Sequence, residues 1–406
     1  LRLLINDIDL MLLLLSISTF LSIVYGNTDN DVTRLGFSIL RNVDSSKNIV
    51  ISPLAAYVSL TRLYLAADGK TKDELENVLF STREHAMNAS FYESIHDALE
   101  FSDSFGMVNQ MYLNKTLKKQ VDHDYEQEIM EMCMTPLEEL TDFSTINAFI
   151  RSASNFTLSR DLLGETDNTT LLALTNAFYM NGELARSAFY EESLVADWLK
   201  GNRTFHGLDG DREVFMTTAE TRRHDYVEHS LYTFTTLEYG STVEDPKVVR
   251  RPLAKRLRLA VIIPKNETTL EELIESFANG TLEFPELYGK NEYNGNLDVT
   301  TPLFTIESHV ELSPVLESLG VDMSALNLSA MFQKGSATRK LQLNIINQAA
   351  KIDIRIRNPT LLSFHAFPPD AVFPLGTEPL VYLNVDRPFL FGMFLFRTLI
   401  FLGTHV

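Results

Sequence analysis

Near the end of the chain Ile352, Ile354 and Ile356 alternate with Lys351, Asp353, Arg355 and Arg357, the two-residue period of a strand with one buried face. The regularity then stops. From Asn358 to Pro379 the chain carries Pro359, Pro368, Pro369, Pro374 and Gly376 among apolar residues, and a loop of that length in a compact domain is usually functional or disordered. The next segment, Asp386 to Gly403 (DRPFLFGMFLFRTLIFLG), returns to β-branched and aromatic residues and predicts a buried hairpin. Arg397 within it argues against a membrane span, because a charge near the centre of one costs about 2.5 to 3.5 kcal/mol. Upstream, Leu35, Phe37 and Leu40 predict a helix over Val32–Val43, and Ser52-Pro53 starts another that runs to Ala67. Asp68-Gly69-Lys70-Thr71 closes that helix and opens a third, Lys72–Phe80. Gly106 precedes a strand over Met107–Leu113, and Ile146–Ala153 reads as helix. No Ser/Gly-rich linker or shift in composition divides the chain.

Several separated blocks together resemble one family, the serpins. Asn48–Leu79 (NIVISPLAAYVSLTRLYLAADGKTKDELENVL) is similar to the family's buried strand running into a Ser-Pro helix, with Ser52 and Pro53 in place and Ala55 where a second serine is usual. Thr175–Phe189 matches the central strand N-A-x-Y-x-x-G at Asn176, Ala177, Tyr179 and Gly182, with Leu184 where a tryptophan is usual. Leu259–Lys265 (LAVIIPK), Val299–Leu326 and the closing D-x-P-F-L-F hairpin follow in the family's order. The resemblance covers roughly Asp31 to Val406. It implies one α+β serpin domain: a large central mixed β-sheet, additional sheets, about eight or nine helices, and an exposed reactive-centre loop over about residues 357–380.

Composition fits a large core, with 406 residues, 45% hydrophobic and 22% charged. A formal net charge of −19 disfavours nucleic acid and acidic membrane surfaces as partners, since phosphate binding relies on Lys and Arg. Lys115, Lys118 and Lys119 are too few for a heparin-like site. Met11–Gly26 is an uncharged apolar run followed by polar residues, the pattern of a secretory signal peptide. Residues 1–26 are thus expected to be upstream residues and a leader, with Met11 as the start and the domain over residues 27–406. Secretion agrees with glycosylation sequons at Asn88, Asn114, Asn155, Asn168, Asn202, Asn266, Asn279 and Asn327. The single cysteine, Cys133, rules out an internal disulfide and reads as a core thiol.

Enzyme chemistry finds no support. There is no G-x-S-x-G elbow, H-E-x-x-H helix, P-loop or Cys-x-x-Cys pair. His224-Asp225 with Glu228-His229 is the nearest thing to a metal cluster, and such groups on an acidic surface are usually just solvated. Neither a metal nor a cofactor is expected.

In serpins a protease cleaves the loop, and the freed segment enters the main sheet as a new strand, distorting the protease it carries. The family's inhibitory hinge, E-E-G-T-E followed by small alanines, falls here on Ile356, Arg357, Asn358, Pro359 and Thr360, then Leu361, Leu362, Ser363 and Phe364. Proline has no N–H to donate and is confined to sheet edges and bulges, so Pro359 should obstruct entry at the outset. Leu361 and Phe364 add bulk where small residues are usual, at about 1 to 3 kcal/mol for each overpacked position. The family's shutter histidine is replaced by Asn347 or Gln348, depending on register. Counting forward from the hinge puts the scissile bond at Val372–Phe373, and counting back from Pro388 puts it near Thr377–Glu378. With the leader and the sequons marking a secreted glycoprotein, the resemblance implies a monomeric serine-type endopeptidase inhibitor with a serine protease as partner. The alternative is a non-inhibitory serpin that binds, carries or chaperones an unknown protein or small ligand.

Overall fold

The structure is a computed structural model that describes residues 28–81, 89–100, 105–133, 135–155, 157–164, 170–180, 185–187, 200–221, 224–241, 257–265, 267–285, 292–293, 297–333, 340–341, 345–354 and 381–406. Among the described residues three large sheets and one two-stranded sheet, with helices packed around them, build an α+β domain. At its centre is a five-stranded sheet in the order Phe304–Glu311, Ile345–Ile354, Leu172–Met180, Phe105–Leu113, Leu137–Glu139. It is mixed: Ile345–Ile354 runs antiparallel to Phe304–Glu311 but parallel to Leu172–Met180.

An eight-stranded sheet contains the hairpin Phe389–Leu395 and Thr398–His405, flanked by Ile49–Ile51 and Leu257–Pro264. Every residue of both hairpin strands is buried, which is why the sequence there reads as largely apolar. Arg397 lies exposed in the turn between them, where its charge stays in water. Gly403 is required: a Cβ there would sit 2.1 Å from the Ile49 carbonyl oxygen. Val381–Asn384, Leu297–Pro302, Gly210–Thr221 and Lys200–Gly207 form a four-stranded sheet.

Several helices start at caps that the sequence supplies. Ser52 accepts the Ala55 amide at 3.2 Å, and Pro53 occupies the first turn of the helix Pro53–Ala66. That helix is buried on nearly all sides, with every residue but Tyr64 inside, so it is a core element beneath the central sheet and not an amphipathic surface helix. Asp142 caps Phe143–Ala153 through the Thr145 amide, so the helix begins three residues before the expected Ile146. Thr269 and Glu272 form a reciprocal capping box on Leu270–Ala278. The helix expected over Val32–Val43 spans residues 28–41, and the third begins at Lys70 behind Gly69, which is left-handed at φ +57° and supplies no side-chain cap.

The loop-bearing strand corrects one expectation. It starts earlier, at Ile345, and Asp353 is buried with Ile352 and Ile354. The central sheet is covered on both faces: helix Phe143–Ala153 and the segment after it pack Phe143, Ile146, Ile150, Leu158, Leu162 and Leu163 against Val108, Tyr112, Ala177 and Ala349. Asp353 is accommodated because the Thr305 hydroxyl donates to it at 2.7 Å from the neighbouring strand. Cys133 is a buried free thiol at the end of helix His123–Cys133, and burial pushes its pKa up. It lines a cavity of about 460 Å³ with Tyr92, Phe105, Met107 and Met132. Among the described residues no helix is long and apolar enough to cross a membrane.

Candidate functional site

Two neighbouring parallel strands form the seam of the central sheet. Ile345–Lys351 pairs with Ala173–Tyr179 in continuous register, with Gln348 opposite Asn176. The loop-bearing strand is described to Ile354, which pairs with Phe304. The chain is described again at Val381, which pairs with Leu297 in the four-stranded sheet. The described residues on either side of 355–380 therefore belong to different sheets. The hinge positions Arg357, Asn358, Pro359, Thr360, Leu361, Leu362, Ser363 and Phe364, and the candidate scissile bonds Val372–Phe373 and Thr377–Glu378, lie outside the described residues.

Beneath the seam a buried polar cluster joins the helix start to both strands. Gln348 accepts from the Ser52 amide at 3.0 Å, donates to the Ser52 carbonyl at 2.9 Å and donates to Asn176 Oδ1 at 2.7 Å. The expected Ser52 and Asn176 are thus brought together, with Pro53 next to Ser52 in the chain, and of Asn347 and Gln348 it is Gln348 that joins the cluster. Asn347 points the other way and donates to the Leu162 carbonyl at 2.9 Å. Next to Asn176 on the adjoining strand, Asn109 donates to the Ala55 carbonyl and accepts from Ser59. Ala55 has no hydroxyl to offer, and the buried Nδ2 of Asn176 has no hydrogen-bond partner. Asn109 and Ser59 escaped the sequence reading; the signal available was a buried-type amide in an otherwise apolar strand, FGMVNQMYL.

Across the other face, the segment after helix Phe143–Ala153 is tied over the seam. Lys351 Nζ donates to the Thr157 carbonyl at 2.6 Å and pairs with Glu307 at 3.1 Å. Glu307 also accepts the Ser159 amide at 2.8 Å, and His309 lies 3.3 Å from it. Burial works against the Glu307 carboxylate, but hydrogen bonds from Ser159, Lys351 and His309 outweigh it and hold its pKa below the ordinary value. Asn147 accepts both the Leu162 and Leu163 amides and donates to the Leu163 carbonyl. Tyr179 donates to the Ala153 carbonyl at 3.0 Å.

The comparisons with known proteins agree with this geometry. The family profile described as Serpin (serine protease inhibitor) matches residues 30–406. The chain belongs to the serpin family. Similar serpins include an antitrypsin of Bombyx mori, 22% identical with 96% of each chain covered, and plasminogen activator inhibitor 1 of Bos taurus, 23% identical over 88% of this chain and 87% of that protein. Among solved structures, native tengpin, a thermophilic serpin, aligns with a TM-score of 0.71 at 16% identity, covering 94% of this chain and 93% of that one. Native protease nexin-1 with heparin gives 0.70 at 19% identity, covering 94% and 99%. The serpin fold expected from the motif blocks is the fold observed, and at the level of the family these are inhibitors of proteases, not enzymes.

Other sequence candidates are dispersed. Asp225 is buried and paired with Arg258 at 2.7 Å, Glu228 binds Lys265 and Tyr226, and the His229 ring stacks on Tyr232 at 4.7 Å. Among the described residues no cluster could hold a metal ion. Of the sequons, Asn155, Asn202 and Asn279 are exposed, while Asn114 and Asn327 are half-buried; Asn88, Asn168 and Asn266 lie outside the described residues, as does the expected leader, residues 1–26.

Proposed function

We propose that this serpin is a secreted glycoprotein that presents residues 357–380 to a serine protease as bait. The observation that carries this reading is the five-stranded central sheet, in which the loop-bearing strand Ile345–Ile354 still pairs directly with Leu172–Met180. A sheet in that state has room to gain a strand at the seam, and gaining it is the source of energy on which protease distortion draws. The Met11–Gly26 run and the sequons support export.

A second reading rests on a specific feature, the hinge Ile356-Arg357-Asn358-Pro359-Thr360. A proline at the entry of a strand that must fit between two others slows insertion, and slow insertion lets the acyl-enzyme hydrolyse. The chain would then be a protease substrate whose role is to bind or carry another molecule.

Incubating the mature chain with elastase-like, chymotrypsin-like and trypsin-like proteases and resolving the products on a denaturing gel separates the two. A covalent adduct of higher mass establishes trapping. Cleavage in the loop with no adduct makes the chain a substrate and turns the search to binding partners, as the second reading expects.

A further inference from the structure

His405 stands where the three large sheets meet. It belongs to Thr398–His405 of the eight-stranded sheet, and its ring stacks on its cross-strand partner Phe389 at 5.1 Å and 16°. Phe205 of the four-stranded sheet meets it edge-on at 4.9 Å, and Phe304 of the central sheet lies at 5.0 Å. The imidazole is buried, and its Nδ1 has no hydrogen-bond partner. A histidine with an unpaired nitrogen inside a box of three phenylalanines is a weak choice for packing alone, because an apolar residue would fill the space without an unmet acceptor.

The surrounding charges give no relief. From Gly210–Thr221 the ring faces Arg212, whose guanidinium covers Phe205 at 4.5 Å and donates to the Val406 carbonyl. From Lys200–Gly207, next to Phe205, His206 is exposed and engaged with Asp211 at 2.8 Å. From the central sheet, Asp353 beside Phe304 is taken up by Thr305. Ahead of Phe389, Asp386 and Arg387 pair with each other at 3.1 Å. Burial and Arg212 together hold the imidazole neutral and lower its pKa to about 4.

We propose that His405 is an acid-sensitive latch that keeps the three sheets joined at the end of the seam where the loop leaves, and releases that junction as the surroundings acidify. Phe304 is the link: one side touches the His405 ring, and its backbone pairs with Ile354, the last described residue before the loop. When the junction opens, the exposed imidazole takes up a proton that the closed box refuses. With an ordinary value of 6.5 in the open form and about 4 in the closed one, the open-to-closed ratio rises about 25-fold between pH 7.5 and pH 5. The consequence for loop entry rests on the bait reading above; the opening itself does not.

The test is hydrogen exchange, corrected for intrinsic rates, on the intact chain from pH 7.5 to pH 5, followed in peptides that cover Phe205, Phe304 and His405. His405→Phe and His405→Gln are measured in parallel, the second as a smaller change should the first fail to fold. The wild-type chain should show opening at these peptides increase by about 25-fold, and the variants should show a flat profile. A wild-type profile that changes by less than about threefold, or variants that keep the wild-type rise, would overturn the proposal. Exchange needs no protease, so a chain that never traps an enzyme can still pass or fail this test.

Discussion

A single amide, Gln348, holds the seam to the helix below it. Its three hydrogen bonds engage both backbone groups of Ser52 and the side chain of Asn176, all fully buried. Gln348→Leu keeps the volume but strands the Ser52 amide without an acceptor, so a loss of about 2 to 4 kcal/mol is expected in urea unfolding. Asp29 gives the opposite kind of residue, a buried carboxyl that the fold disfavours when charged. Burial raises its pKa to about 6, against the Thr398 hydroxyl bond at 2.5 Å and the nearby Arg397 charge, which lower it. Because the folded value lies above the unfolded one, the contribution to stability is complete below pH 3.8 and is lost as pH rises through 6. Asp29→Asn should therefore be more stable than wild type by about 3 kcal/mol at pH 8, with the two melting curves converging below pH 4. A difference that persists in acid would show that the substitution acts by packing and not by charge.

At the scale of elements, the strap from Thr157 to Leu163 depends on side chains from two strands of the central sheet and from the helix before it. Lys351→Met removes the cation from a pair whose members are 20% and 13% exposed, leaving Glu307 with the Ser159 amide as its principal donor. The cost should be about 1 to 3 kcal/mol, below that of breaking a fully buried pair. Exchange should speed up at residues 157–163 while the hairpin Phe389–Leu395 and Thr398–His405 stays protected; uniform loosening would argue against a local strap. These contacts also show which parts of the structure the sequence could convey. The hairpin was legible because burial on all sides leaves mostly apolar residues, and Ser52-Pro53 was legible because a helix start is a local event. Asp353 read as exposed because alternation reports one covered face, and the second cover comes from residues about 200 positions earlier in the chain. The Lys351–Thr157 and Glu307–Ser159 bonds join residues 194 and 148 positions apart. No local pattern encodes such pairs, and His405 was likewise unremarkable until three sheets were seen to meet on it.

For the whole molecule, the decisive property is whether the sheet can accept another strand. Nicking the loop between residues 365 and 378 with a non-target protease should raise the melting temperature sharply if the freed segment inserts, and leave it unchanged if Pro359 blocks entry. Surface chemistry makes a separate prediction on the export reading. Asn155, Asn202 and Asn279 are exposed, whereas Asn327 is half-buried, with its amide bonded to Thr71, its carbonyl to Asp68 and its Oδ1 to Ser329. Peptide mass spectrometry of the chain made in a secretory host should find glycans on the first three and none on Asn327.

Cys133, buried beside its cavity, has a further use. Being the chain's only thiol, it gives the molecule a chronometer: a small alkylating reagent can capture it only during the intervals when helix His123–Cys133 moves away from its neighbours. The pace of that capture, read on the unmodified protein with no label added and no residue changed, measures how often this flank of the central sheet breathes.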